Sequence, residues 1–416
     1  MILFYILVAG MPLVKQPLFA TFVNDLTITK YVGAACVAYA ALHLVMRGAM
    51  PRAYRSRMSM LLLGFYAVAL VSFSTRSLPV LWEMSPILSL TSFVLLYFIV
   101  IAVVDTPQRL RWTYLVATVA ITVGSLYMVR EWKEYHLVYR DFRPGFVVGD
   151  ANYFTLSALL ILPIAFYLMM SRPGWWERLF LAGSLGLTLI AIMLGASRGG
   201  FVGLVVEGGF ILWHAKHRAR GIALAALVLG PLFVFSPSSP LRRLRDPNYS
   251  DNKAEQARLV TWSAGGRMFR EHPWAGIGLG NFKPMVESYE EPGQHVLNLA
   301  HNTYIELAAE LGAPGLLFFL ALYFTAYGQA RKAVAAGGES WMGRSALGLQ
   351  AGLIGGATGI FFLSAEQQKL LWLMVFLAPC AAALAGAARP VEAPREEPAA
   401  AMAAAPAQET LAESLQ

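Results

Sequence analysis

Ser236-Pro237-Ser238-Ser239-Pro240-Leu241-Arg242-Arg243-Leu244-Arg245 opens a hydrophilic block that continues through Arg267-Met268-Phe269-Arg270-Glu271-His272-Pro273-Trp274 and Gly276-Ile277-Gly278-Leu279-Gly280-Asn281-Phe282. It closes with His301-Asn302-Thr303-Tyr304-Ile305-Glu306 and ends at Gly312. The runs on either side are apolar, and their length decides the fold. A helix needs about 20 apolar residues to cross the hydrocarbon core of a bilayer, each residue advancing about 1.5 Å. Apolar runs near 1–14, 28–46, 58–73, 86–104, 112–129, 152–170, 179–195, 199–213, 221–235, 313–328, 345–363 and 370–387 predict twelve spans, the shorter ones borrowing flanking residues. The first run lacks a basic leader and a small-residue cleavage site, so it is read as a span rather than a removed signal.

Composition agrees. The chain of 416 residues is 57% hydrophobic and 14% charged, whereas soluble domains carry about 25% charged residues. The expected class is an all-α polytopic membrane protein. Its organisation is nine transmembrane helices over 1–235, the large loop 236–312 with helical parts, three further transmembrane helices over 313–387, and a disordered tail over 388–416 rich in Ala, Pro and Glu. Cys36 and Cys380 both lie in apolar runs, so neither a disulfide framework nor a cysteine metal site follows.

Orientation follows from lysine and arginine in short loops. With the N-terminus in the cytoplasm, the inner connections 47–57, 105–111, 171–178, 214–220 and 329–344 hold 14 basic residues, and the outer short connections hold nine. The block 236–312 then lies outside. The net charge of +8 is spread over the loops, which reads as membrane topology rather than nucleic-acid binding. No inner connection carries a phosphate-binding loop or a dinucleotide fingerprint. The chain has no Asp-x-Asp pair and no His-Glu-x-x-His. Nucleotide-dependent chemistry at the inner face is therefore not expected, and no metal or other cofactor is implied.

The outer side carries the candidate residues. Arg140-Asp141-Phe142-Arg143-Pro144-Gly145 leads into Gly149-Asp150-Ala151-Asn152-Tyr153. Ser197-Arg198-Gly199-Gly200 turns between two apolar runs. An arginine at that boundary either snorkels from a helix end or faces a polar partner such as a phosphate, which its fork binds bidentately. Arg143 lies before a Pro-Gly turn and has the same two readings, as lipid-headgroup contact or anion ligand. Arg267 and Arg270 share one face of an expected amphipathic helix over 255–271, either solvated or anion-binding. The segment 236–300 holds eight basic and seven acidic residues, so arginines there matter by position rather than by bulk charge.

His301 precedes Asn302, a favoured N-cap, and Thr303–Leu311 has helical periodicity up to the stop at Gly312. A helix N-terminus disfavours imidazolium, which leaves His301 neutral and able to accept a proton, or else simply hydrogen-bonded in the structure. Glu306 and Glu310, further along this helix, either form a solvated face or support the site.

Four motifs in order then carry a resemblance: Asp150-Ala151-Asn152-Tyr153, Ser197-Arg198-Gly199, Pro273-Trp274-Ala275-Gly276-Ile277-Gly278-Leu279-Gly280-Asn281-Phe282, and His301-Asn302 with Glu306. The chain resembles the O-antigen ligase / O-antigen polymerase superfamily. That resemblance implies a membrane-embedded, GT-C-like glycosyltransferase, inverting and metal-independent, in the bacterial inner membrane with its site facing the periplasm. It implies an undecaprenyl-diphosphate-linked polysaccharide donor and a lipid A–core acceptor. On this reading Arg198, Arg143, Arg267, Arg140 and Arg270 are diphosphate ligands. His301 is the general base, and Asn302, Glu306 and Asn152 support it or hold sugar. An O-antigen polymerase or a protein O-oligosaccharyltransferase of the same superfamily shares the donor and differs in the acceptor. A lipid-linked glycan flippase is the reading from a different class.

Overall fold

A computed structural model of the chain describes residues 1–13, 28–47, 55–76, 86–139, 142–145, 148–219, 221–222, 230, 251–294, 296 and 298–388. Among these residues the regular structure is entirely helical. The helices are α1 (Ile2–Gly10), α2 (Ile28–Arg47), α3 (Arg57–Arg76), α4 (Pro86–Val103), α5 (Pro107–Tyr135), α6 (Ala151–Met170), α7 (Trp175–Gly195), α8 (Arg198–His214), α9 (Asp251–Glu271), α10 (Phe282–Met285), α11 (Thr303–Gly337), α12 (Trp341–Gly359) and α13 (Lys369–Ala387). Several of their starts are written locally. Thr106 caps α5 with a proline in its first turn, Asp150 caps α6, Ser197 caps α8 and Ser340 caps α12. Each of these side chains satisfies a backbone N–H that has no partner within its own helix.

Eight described helices are long and apolar enough to cross a membrane, fewer than the twelve spans expected. Helix α1 is nine residues, too short to cross alone. Among the described residues α2 contributes the shorter apolar stretch Tyr31–Leu42, and α8 has 17 residues. The expected span 221–235 lies almost wholly outside the described residues, as do 236–250, Arg140 and the tail from 389.

The connections alternate between the two ends of the bundle. At one end Arg111 pairs with Glu177 at 2.7 Å, Arg344 with Glu339 at 2.7 Å and Lys216 with Glu339 at 3.7 Å. Arg344 also donates to the Met170 carbonyl, joining 171–178 to 329–344. The opposite end gathers residues 142–145, 148–152, 195–200, 301–303 and 363–366, described below. Helix α12 packs tightly against α6 because glycines face it: a Cβ on Gly348 would come within 2.7 Å of the Pro163 carbonyl oxygen, and one on Gly352 within 2.6 Å of that of Leu160. Small residues at such a seam let helix backbones approach closely inside a membrane.

The described part of the large loop has its own small core of Ala264, Met268, Ile277, Phe282, Val286, Ala300 and Ala309. Helix α9 covers it, and Trp262 Nε1 donates to the Ala300 carbonyl at 2.8 Å. Helix α11 is broken where the sequence predicts it: Gly312 has φ 67°, separating 303–311 from the long membrane segment. The glycine motif wraps around this break. Ile277 N donates to Ala309 O at 2.8 Å, Ala313 N to Pro273 O at 2.7 Å, and Glu310 accepts the N–H groups of Gly280 and Phe282 at 2.9 and 3.0 Å. Glu310 is therefore buried rather than part of a solvated face. Gly276, at φ 66°, leaves no space for a side chain, since a Cβ would sit 2.1 Å from the Glu310 carbonyl oxygen. Gly276→Ala combines that clash with a strain of about 1–3 kcal/mol, and is expected to lower the thermal unfolding midpoint in detergent clearly. Gly293→Ala, with open space at its Cβ, shifts it less.

Candidate functional site

The site begins at a strained residue. His301 has φ 50°, in the left-handed region, which L-residues enter at a cost and which clusters at functional sites. The position is held from several directions. His301 N donates to Ser364 Oγ at 3.0 Å. Asn302 caps the next helix, its Oδ1 accepting from Tyr304 N and Ile305 N at 3.0 and 3.1 Å. Thr303 N and Oγ1 both donate to the Leu363 carbonyl, at 3.1 and 2.7 Å, and Ala365 N donates back to Thr303 Oγ1 at 2.8 Å. The segment 363–366 thus lies against 301–303 and fixes the direction of the imidazole.

The ring of His301 is half-buried, and its Nδ1 is enclosed without a hydrogen-bond partner. Burial pushes its pKa below 6.5, the nearby positive charge of Arg258 pushes it further down, and Asp150 opposes both. The imidazole is therefore neutral at neutral pH.

Asp150 belongs to the first turn of α6. Its Oδ1 accepts from Asn152 N at 2.7 Å and Tyr153 N at 3.3 Å. Tyr153 Oη donates to the Ser364 carbonyl at 2.7 Å, so α6 is tied to the segment 363–366 that holds His301. On the other side of the turn, Arg143 Nη2 donates to Asn152 Oδ1 at 3.1 Å, and its Nε donates to the Gly195 carbonyl at 2.9 Å. Gly195 is the last residue of α7, and Ala196 and Ser197 turn the chain directly into Arg198. Arg143, Asn152, Arg198 and His301 are thereby brought to one end of the bundle, with Arg143 and Arg198 both exposed. The hairpin glycines accommodate protein rather than ligand. A Cβ on Gly199 would meet Phe362 at 2.4 Å, and one on Gly200 would meet Thr155 at 2.1 Å.

The loop arginines are placed differently. Arg267 Nε donates to the Tyr289 carbonyl at 2.6 Å and its Nη1 lies 3.4 Å from Glu291, so it braces the loop. Arg270 is exposed and bonds one turn back, to the Gly266 carbonyl at 3.2 Å. Arg140 lies outside the described residues. Asn302 is spent on its cap.

Sequence reasoning missed three contributors. Glu131 accepts Gly145 N at 2.8 Å and fixes the turn that carries Arg143. Tyr153 stands in a quoted motif but carries no role there, and the segment Ser364-Ala365-Glu366 is not singled out, although Glu366-Gln367-Gln368 is a polar run between two apolar spans. Burial raises the Glu366 carboxyl to about 6. Glu306 is also buried rather than solvated, and the Ser364 hydroxyl hydrogen-bonds its carboxylate. Next to these residues opens a cavity of about 620 Å³, which Asp150, Tyr153, Glu306, Ser364 and Glu366 help to line. Among the described residues, no group of three or more His, Cys, Asp or Glu side chains is arranged to hold a metal ion.

A polytopic all-helical membrane protein with a polar site at one end of its bundle is the class that fold and site define. Residues 183–320 match the family described as O-Antigen ligase, which supports the O-antigen ligase superfamily and, at family level, a glycosyltransferase-like membrane enzyme. The matched region includes Arg198 and His301, whereas Arg143, Asn152 and the segment 363–369 lie outside it. No curated protein matches the chain.

Proposed function

We propose that the chain is an O-antigen ligase of the bacterial inner membrane. It transfers polysaccharide from undecaprenyl diphosphate to a sugar hydroxyl of lipid A–core at the periplasmic face. One observation carries the reading: a neutral, strained His301 shares one end of the bundle with two exposed arginines, Arg143 and Arg198, on turns between membrane helices. His301 takes the proton of the acceptor hydroxyl as its oxygen bonds to the anomeric carbon. The bond from that carbon to the diphosphate oxygen breaks on the opposite face, which inverts the configuration. The electron pair leaves with undecaprenyl diphosphate, whose charge Arg143 and Arg198 stabilise. Arg267 reaches the diphosphate only by giving up its contacts in the loop, and Arg270 serves as an exposed outer charge.

The test is purified protein with a lipid-diphosphate-linked glycan and separate lipid A–core and protein acceptors. Glycan on lipid A–core alone is the expected product, and it forms at an unchanged rate with excess chelator. Glycan on the protein acceptor alone indicates the protein-directed relative, lengthening of the lipid-linked glycan indicates a polymerase, and no transfer at all overturns the enzyme reading.

A further inference from the structure

We propose that the 620 Å³ cavity beside His301 is a sugar subsite, in which Glu306 and Glu366 receive hydroxyl groups of the acceptor glycan. The inference rests on the glycosyl-transfer reading and adds to it a place and two residues for the acceptor.

The cavity differs chemically from the arginine side. Its lining contains Asp150, Glu306, Glu310 and Glu366 against Lys283 and Lys369. Such a surface disfavours a diphosphate and favours a donor of hydrogen bonds. Two of the four carboxylates are already committed, Asp150 to the α6 cap and Glu310 to the N–H groups of Gly280 and Phe282. The other two are only partly satisfied: Ser364 reaches the Glu306 carboxyl and the Glu366 backbone N–H reaches its own carboxyl, which leaves one oxygen of each without a partner. Glu306 is only 3% exposed, lines the cavity, and holds Oε2 buried without a partner. Glu366 also lines the cavity with a buried Oε2 that lacks a partner. A buried carboxylate oxygen is costly unless a donor reaches it, and a sugar ring supplies hydroxyl donors without bringing charge. Tyr153 and Phe154 add aromatic wall to the same cavity, suited to the C–H face of a pyranose. The first turn of α6 stands between the two chemistries. Asn152 faces Arg143, while Tyr153, the next residue and about 100° around the helix, bonds to Ser364. The acceptor sugar and the donor diphosphate therefore approach different sides of that turn. Ser364 joins the subsite to the base, since its hydroxyl accepts from His301 N and donates to the Glu306 carboxylate.

The experiment measures transfer by wild type, Glu366→Gln and Glu306→Gln with donor and acceptor varied separately, alongside thermal unfolding in detergent. The acceptor KM is expected to rise about ten- to a hundredfold in each variant, with the donor KM unchanged. A changed donor KM with a constant acceptor KM, or no change in either, overturns the subsite. A binding arm uses core oligosaccharide, released from lipopolysaccharide by mild acid, observed by saturation-transfer NMR on the folded proteins. Signal with wild type that is lost in Glu366→Gln supports the subsite, and equal or absent signal in both overturns it. Binding by a wild-type protein that transfers no glycan sinks the ligase reading and leaves the sugar site standing. Should Glu306→Gln unfold, Glu366→Gln, at a half-buried position, carries the decision.

Discussion

His301→Ala is expected to lower kcat by about 10²–10⁴-fold, the range contributed by a placed general base, while the protein stays folded. His301 is half-buried, and its contact with Ser364 is through the backbone N–H, which alanine keeps. His301→Gly sharpens the test. Glycine enters the left-handed region freely, so this variant relieves the strain at φ 50°, keeps its unfolding temperature and still loses transfer. The pH profile adds a signature that a purely structural histidine would not give. Burial and Arg258 hold the folded pKa below 6.5, so the basic form persists to lower pH than for a free imidazole. The acid limb of kcat/KM falls below 6.5, and activity declines as pH drops through it. Arg258→Gln removes the neighbouring positive charge, which raises the histidine pKa and moves the limb to higher pH. Full activity in His301→Ala, or a limb that ignores Arg258→Gln, would remove His301 from the reaction.

Arg198→Ala gives the second large effect, a loss in kcat of about 10²–10³-fold, comparable with removing one donor that stabilises developing negative charge. The side chain is exposed at the first position of α8, and the cap belongs to Ser197, so the helix start survives the substitution, and thermal unfolding in detergent is measured beside the rate. A merely snorkelling arginine predicts no kinetic change, which separates the two readings of this hairpin. Arg198→Lys keeps the charge and loses the bidentate fork, so it should recover part of the rate. Arg143→Ala is less clean, because Arg143 also holds the Gly195 carbonyl and Asn152. It is expected to lose activity and some stability together. Unimpaired transfer in Arg198→Ala, measured at limiting donor, would show that the diphosphate is held elsewhere.

Much of the local architecture was legible because it is encoded within a few residues. Asn302 caps a helix as its type and place predict, and Gly312 breaks α11 where the sequence stops being periodic. The amphipathic helix expected over 255–271 is α9. Spans were harder at the margins. The run at 199–213 is filled end to end by α8 and is itself short, whereas α1 ends at Gly10 inside the run 1–14, because apolar composition alone does not set how far hydrogen-bonded helix extends. The burial of Glu306 and Glu310 was not legible either. A carboxylate on a helix next to a loop looks solvated until the loop folds back, and here the glycine motif and the segment 363–366 cover both.

By itself the sequence determined the membrane class, the alternation of connections, the positions of caps and breaks, and the presence of His301, Arg143 and Arg198 on turns of one side. These follow from composition, periodicity and nearest-neighbour chemistry, all of which act over one or two helical turns. Only the tertiary structure decided which residues share the site. Tyr153 meets Ser364 across 211 positions, and Ser364 meets His301 across 63. Such pairings depend on how close α6, α11 and α12 approach, which glycines at their seams permit. The left-handed backbone of His301, the commitment of Arg267 to its own loop, and the acidic cavity beside the base all arise from that packing, and no local pattern announces them.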